Sequence, residues 1–154
     1  MSTLLFMIAF CAGAAISCQA AINGQLAGAI GHNTIAAALF SFLSGSVLLA
    51  VIAIGRGGLL PSLAALPAQP WWRLTGGLLG AGAIFCTVML APRIGLGALL
   101  ALVIAGQLLS SLAIDHFGLL GVAVRQVSWL KMTGAAVMLG GVLLTLFSNR
   151  LTAA

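Results

Sequence analysis

Charge is what this sequence has least of. Six residues are Lys or Arg, and Asp115 is the only acid. Charged side chains make up 5% of the chain, where a soluble domain carries roughly 25%. A water-facing surface cannot be assembled from so few, so lipid must be the main solvent. One acid also excludes paired side-chain carboxylates. The basic residues lie singly between apolar runs. That is a topology signal and excludes a nucleic-acid patch despite the net charge of +5. Cysteine is scarce: Cys11, Cys18 and Cys86 sit inside apolar runs, without ligand spacing or a disulfide framework, and read as small apolar packers. His32 and His116 lie near span boundaries, with no partner at metal or nucleophile spacing, and read first as solvated or headgroup-facing; the alternative for His116, beside Asp115, is a proton relay. Gly95-x-Gly97 lacks the context of a phosphate loop. No catalytic residue, metal site or cofactor is assigned, and the chain is not read as an enzyme.

What is present is apolar: 62% of the residues. A span needs about 20 mostly apolar residues. The sequence predicts five, over about 4–22, 35–54, 74–91, 94–114 and 129–147, forming a single five-helix transmembrane domain over residues 1–154. The N-terminal run is longer than the core of a signal peptide and has no basic stretch before it, so it reads as a retained span. Asn23 to Thr34 reads as a turn. Gly55 to Arg73, with Pro61, Pro67 and Pro70, is the longest connection, and its 59–66 stretch suits the membrane interface. Ala91-Pro92-Arg93-Ile94 reads as a tight turn, and Asp115 to Lys131 as a mixed loop.

With five spans, Arg56, Arg73, Arg125 and Lys131 fall on the side of the N-terminus, and Arg93 and Arg150 on the other. Four against two is a weak positive-inside bias, compatible with both orientations. Trp71, Trp72 and Trp129 all fall on the first side, as an aromatic belt should. Small residues recur at four-residue spacing, as in Ala9/Gly13/Ser17 and Gly76/Gly80. Thr34, Ala37, Ala38, Ser41 and Gly45 share one helix face, a pattern that lets helices approach closely.

Polar groups inside lipid need partners. In the fourth span Gln107, Ser110, Ser111 and Asp115 follow i, i+3, i+4, i+8 spacing and occupy one face. Such a face lines a substrate path or bonds to another helix; Asp115, at the span's end, reads as a boundary residue or a coupling group. In the first span Gln19 and Asn23 lie one turn apart. Their amides offer donors and acceptors without a buried charge. The alternative for Asn23 is a helix-end cap. These six residues are the candidate substrate-binding set.

Several stretches in order resemble a known family: Gln19-Ala-Ala-Ile-Asn-Gly-Gln-Leu, Ser41-Phe-Leu-Ser-Gly, Pro70-Trp-Trp, Ala91-Pro-Arg-Ile-Gly, Ala105-Gly-Gln-Leu-Leu-Ser-Ser and Ile114-Asp-His-Phe-Gly-Leu-Leu-Gly. Together they are similar to the YdcZ-like family of the drug/metabolite transporter superfamily, from Gln19 to about Phe147. The resemblance implies an all-α membrane protein of the bacterial inner membrane. It also implies an antiparallel, dual-topology homodimer, or a pair with a homologous subunit, giving a ten-helix inverted repeat. Related small multidrug exporters rely on a first-helix glutamate. This chain has no glutamate, so multidrug antiport by that route is not implied.

Two functions fit these features. One is a carrier of small metabolites or drug-like molecules, working by alternating access in the dimer. The other is a dual-topology channel for ions or small solutes, or a membrane subunit that does not transport. The expected partners are the lipid bilayer, a small-molecule substrate and a second, inverted copy.

Overall fold

A computed structural model describes residues 3–151, the last three of them without their side chains. Every regular element among these residues is helical. The α-helices are α1 (Thr3–Ala29), α2 (Thr34–Arg56), α3 (Leu59–Ala64), α4 (Gly76–Ile94), α5 (Leu96–Phe117) and α6 (Trp129–Leu151). Five stretches are long and apolar enough to cross a bilayer: Thr3–Ala29, Thr34–Arg56, Trp71–Ile94, Leu96–Phe117 and Trp129–Ser148. The shortest has 20 residues, which at 1.5 Å per residue covers the hydrocarbon core of about 30 Å. The five expected spans are present.

Two expected boundaries are wrong. The first helix does not stop at Ile22; it continues through Asn23 to Ala29. Asn23 therefore caps nothing. Its amide bonds across to α2, and Ala20, Asn23 and Ala27 form one buried stripe. That packing outweighs the weak helix preference of Asn and Gly. The turn shrinks to residues 30–33, where Gly31 and His32 have φ of 75° and 60°. Asn33 then caps α2, its side chain accepting from the Ala36 amide at 2.9 Å. The second error is the tight turn at Ala91–Ile94. Those residues form the last turn of α4, and the helical run is interrupted at Gly95 alone. Its φ of 80° and ψ of 150° lie in a region essentially reserved for glycine.

The chain divides after Arg93 into two compact units. In the first, α1 packs along α2, and Val88 of α4 closes on Ala27 and Ala37, flanked by Leu26 and Ile84. Gly80 of α4 lies in contact range of the Phe42 ring. The buried apolar side chains of this unit are Ala20, Ala27, Ala37, Ala38 and Val88. Four of the five are alanine, so the helices are held by close backbone approach and not by large interlocking side chains. This is expected where lipid is as apolar as the helix surface. The face Thr34/Ala37/Ala38/Ser41/Gly45 is indeed the packed side of α2. Ala9 and Gly13, by contrast, are exposed.

The connection from α2 to α4 is not an open loop. It holds α3 and 3₁₀ turns at Leu66–Ala68 and Trp71–Leu74. Leu60 and Trp71 are largely exposed there. The Arg73 guanidinium sits 5.2 Å from the Trp72 ring centroid and donates to Gln69 Oε1 at 3.1 Å.

In the second unit α5 packs against α6. Gly118, at φ 61°, ends α5 and returns its amide to the Ile114 carbonyl. The following strap is tied back to the helix end. The Arg125 amide donates to the Asp115 carbonyl at 2.7 Å, and the Val127 amide to His116 Nδ1 at 3.2 Å. Ser128 caps α6, its Oγ accepting from the Lys131 amide. The side chain of Arg150, counted above for topology, lies outside the described residues.

Candidate functional site

The candidate residues form two sets, one in each unit. In the first unit, two carboxamides converge on one hydroxyl. Gln19 Nε2 and Asn23 Nδ2 each donate to Ser41 Oγ at 3.2 Å. The helix geometry explains the meeting. Gln19 and Asn23 are one turn apart on α1, and Ser41 is the polar member of the small-residue face of α2 that α1 packs against. Asn23 is 5% exposed, and it is the one buried polar residue among those described. Ser41 is half-buried and Gln19 exposed, so the cluster runs from the helix seam outward.

The depth of this cluster matters. Taken from the midpoints of α1 and α2, all three residues lie within about 10 Å along the axis. They therefore sit in the hydrocarbon layer, where an unpaired polar group is expensive. Ser17, Ser44 and Thr87 meet that demand by returning their hydroxyls to carbonyls of their own helices. Ser41 makes no such bond. Its oxygen accepts from both amides, and its proton is left for another acceptor.

In the second unit, α5 places Gln107 at its centre, with Ser110, Ser111 and Asp115 toward its C-terminal end. Gln107, Ser110 and Ser111 are exposed and Asp115 half-buried. Ser111 Oγ donates to the Leu108 carbonyl at 2.9 Å, a bond within its own helix. Gln107 and Ser110 have no side-chain hydrogen bond among the described residues. Asp115 is engaged only through its main chain, by the Arg125 amide. No group of His, Cys, Asp or Glu suited to a metal ion occurs among the described residues.

Sequence reasoning thus singled out Gln19 and Asn23 as candidates but counted Ser41, the residue to which both donate, only as a small packing residue. The available signal was its position: Ser41 is a hydroxyl on a face otherwise made largely of alanine and glycine. The open groove of about 450 Å³ lined by Ile35, Ala38, Leu39, Phe42, Ala81, Gly82 and Phe85 offers no such chemistry. Its walls are hydrocarbon, and a lipid chain fills it as readily as a ligand would.

A family model described as "putative inner membrane exporter, YdcZ" matches residues 4–144. No curated protein and no solved structure matches significantly.

Proposed function

The chain belongs to the YdcZ family of inner membrane exporters, and from that premise we propose that it carries small metabolites or drug-like molecules by alternating access within an antiparallel pair of its own copies. It is a multi-pass protein of the inner membrane and, in the broad sense, a transporter. The observation that carries the finer reading is Gln107, an exposed amide without a partner at the centre of a span. Facing acyl chains there, it would forfeit its hydrogen bonds to water and gain none. A solute path on that face, continued by Ser110, Ser111 and Asp115, supplies them. Gln19 and Asn23 are the corresponding substrate contacts of the first unit.

The inverted pair is supported by the odd number of spans and the four-to-two split of basic residues. An odd count places the two ends of one chain on opposite sides. Two copies in the same orientation therefore cannot form an inverted repeat, and a flipped copy can. A homologous partner inserted the other way would serve equally.

The test is flux. Purified protein in proteoliposomes, offered a library of labelled metabolites, is expected to show slow, saturable exchange of at least one of them. Large unitary currents in a planar bilayer would instead establish a channel, and the absence of both would remove transport from the account.

A further inference from the structure

The cluster around Ser41 has hydrogen-bonding capacity that the fold leaves unused. Two carboxamides together hold four N–H hydrogens and two carbonyl oxygens, and the hydroxyl adds one more proton. The fold uses one N–H from each amide, both directed to Ser41 Oγ. The Asn23 carbonyl oxygen has no partner, yet no enclosed side-chain polar atom among the described residues lacks one. That oxygen is therefore not fully enclosed, and Gln19, one turn away on the same helix, is exposed. Unused donors and unused acceptors are thus presented together, at a depth where water is not the default partner.

The same region is free of charge. Along α1 there is no ionisable side chain except Cys11 and Cys18, and α2 carries only Arg56, in its last turn. An ionic ligand would meet no countercharge, and desolvating it without one is costly.

We infer that Gln19, Asn23 and Ser41 form a recognition subsite for an uncharged group that donates and accepts hydrogen bonds at once, a carboxamide or a hydroxyl. The subsite rests on the carrier reading and specifies what that carrier selects. Ser41 is its centre, because it fixes the direction of both amides.

The test uses three probes of similar length: malonamide, neutral; malonate, anionic; and 1,3-diaminopropane, cationic. Each is added at millimolar concentration to the purified full chain, and thermal unfolding is followed. Malonamide is expected to raise the Tm, and the two charged probes to leave it in place. Ser41→Ala and Gln19→Leu each weaken the malonamide response about tenfold, the scale of one lost hydrogen bond. Ser41→Thr, which keeps the hydroxyl, retains the response. Gln19 is exposed, so its variant reports on the subsite even if Ser41→Ala folds poorly. No response to malonamide, an equal or stronger response to a charged probe, or full affinity in both variants would overturn the inference. Counterflow in proteoliposomes separates the two claims. Malonamide bound through Ser41, with neither it nor any library metabolite exchanged, removes the carrier and leaves the subsite. Saturable exchange of any metabolite, with malonamide binding untouched by either variant, removes the subsite and leaves the carrier.

Discussion

The two polar sets solve the same problem in opposite ways. In the first unit Gln19, Asn23 and Ser41 answer one another across the α1–α2 seam. In the second, Gln107 and Ser110 are exposed on α5 with no side-chain hydrogen bond among the described residues, although both lie within an apolar helix. A helix hairpin can satisfy polar groups on its inner face by itself. On its outer face a hydroxyl can return to its own helix, as Ser111 does, but the amide of Gln107 requires water, solute or another protein surface. The first set can thus serve packing and recognition together. Gln107 and Ser110 make no side-chain hydrogen bond among the described residues, and this is why the proposed solute path is placed on α5.

The largest effect expected from this contrast lies on α5. Gln107→Leu should reduce transport more than tenfold while leaving expression and thermal stability near wild type, because no bond within the chain is lost. Rates measured alongside unfolding temperatures decide the matter, and full activity in the variant would detach α5 from the solute path.

Orientation comes next. In a background without Cys11, Cys18 and Cys86, Arg125→Cys is expected to react with an impermeant maleimide from both faces of the membrane. Replacing Ile30 and His32, both exposed in the α1–α2 turn, with lysine should shift the labelling ratio several-fold, placing that turn inside. One-sided labelling before the change would leave the second unit's outer face to be completed by a different protein.

The seam of the first unit yields smaller, purely structural effects. Ala37 is fully enclosed against Ala27 and Val88, and Ala37→Leu should destabilise by about 1–3 kcal/mol through overpacking. Leu43→Ala, on the exposed side of the same helix, should have almost none of that effect. Smallest is the coupling between Asn23→Ala and Ser41→Ala. A double-mutant cycle in unfolding should give about 1 kcal/mol, the usual scale for a hydrogen bond between membrane helices. Zero coupling would mean that the bond seen at 3.2 Å contributes nothing to the seam.

The fold was legible in the sequence because lipid imposes a simple code. Five apolar runs of sufficient length predict five helices, and the structure has them. What could not be read was where a helix ends when polar and flexible residues are part of its packing. Asn23-Gly24 looks like a turn dipeptide, but the Asn donates to a neighbouring helix and the chain stays helical through the Gly. Pro92 looks like a breaker, yet it lies inside the last turn of α4, and the break between the two helices falls on Gly95. The site was half legible for the same reason. Amides in an apolar run stand out at once. A serine among alanines does not, because its role depends on which helix lies opposite. Nothing in the spacing of Gln107, Ser110 and Ser111 reveals that they lack partners, since that depends on what α5 packs against.

The most direct measurement concerns what Gln107 faces. In the cysteine-free background, Gln107→Cys and Leu109→Cys place thiols on two exposed positions near the middle of α5. Each is treated in intact membranes with a small, water-soluble thiol reagent. The expected result is fast modification at position 107, slowed by any substrate found in the flux screen, and little or none at position 109. Equal resistance at both positions would show that the polar face of α5 meets lipid or dry protein, and would contradict the solute path.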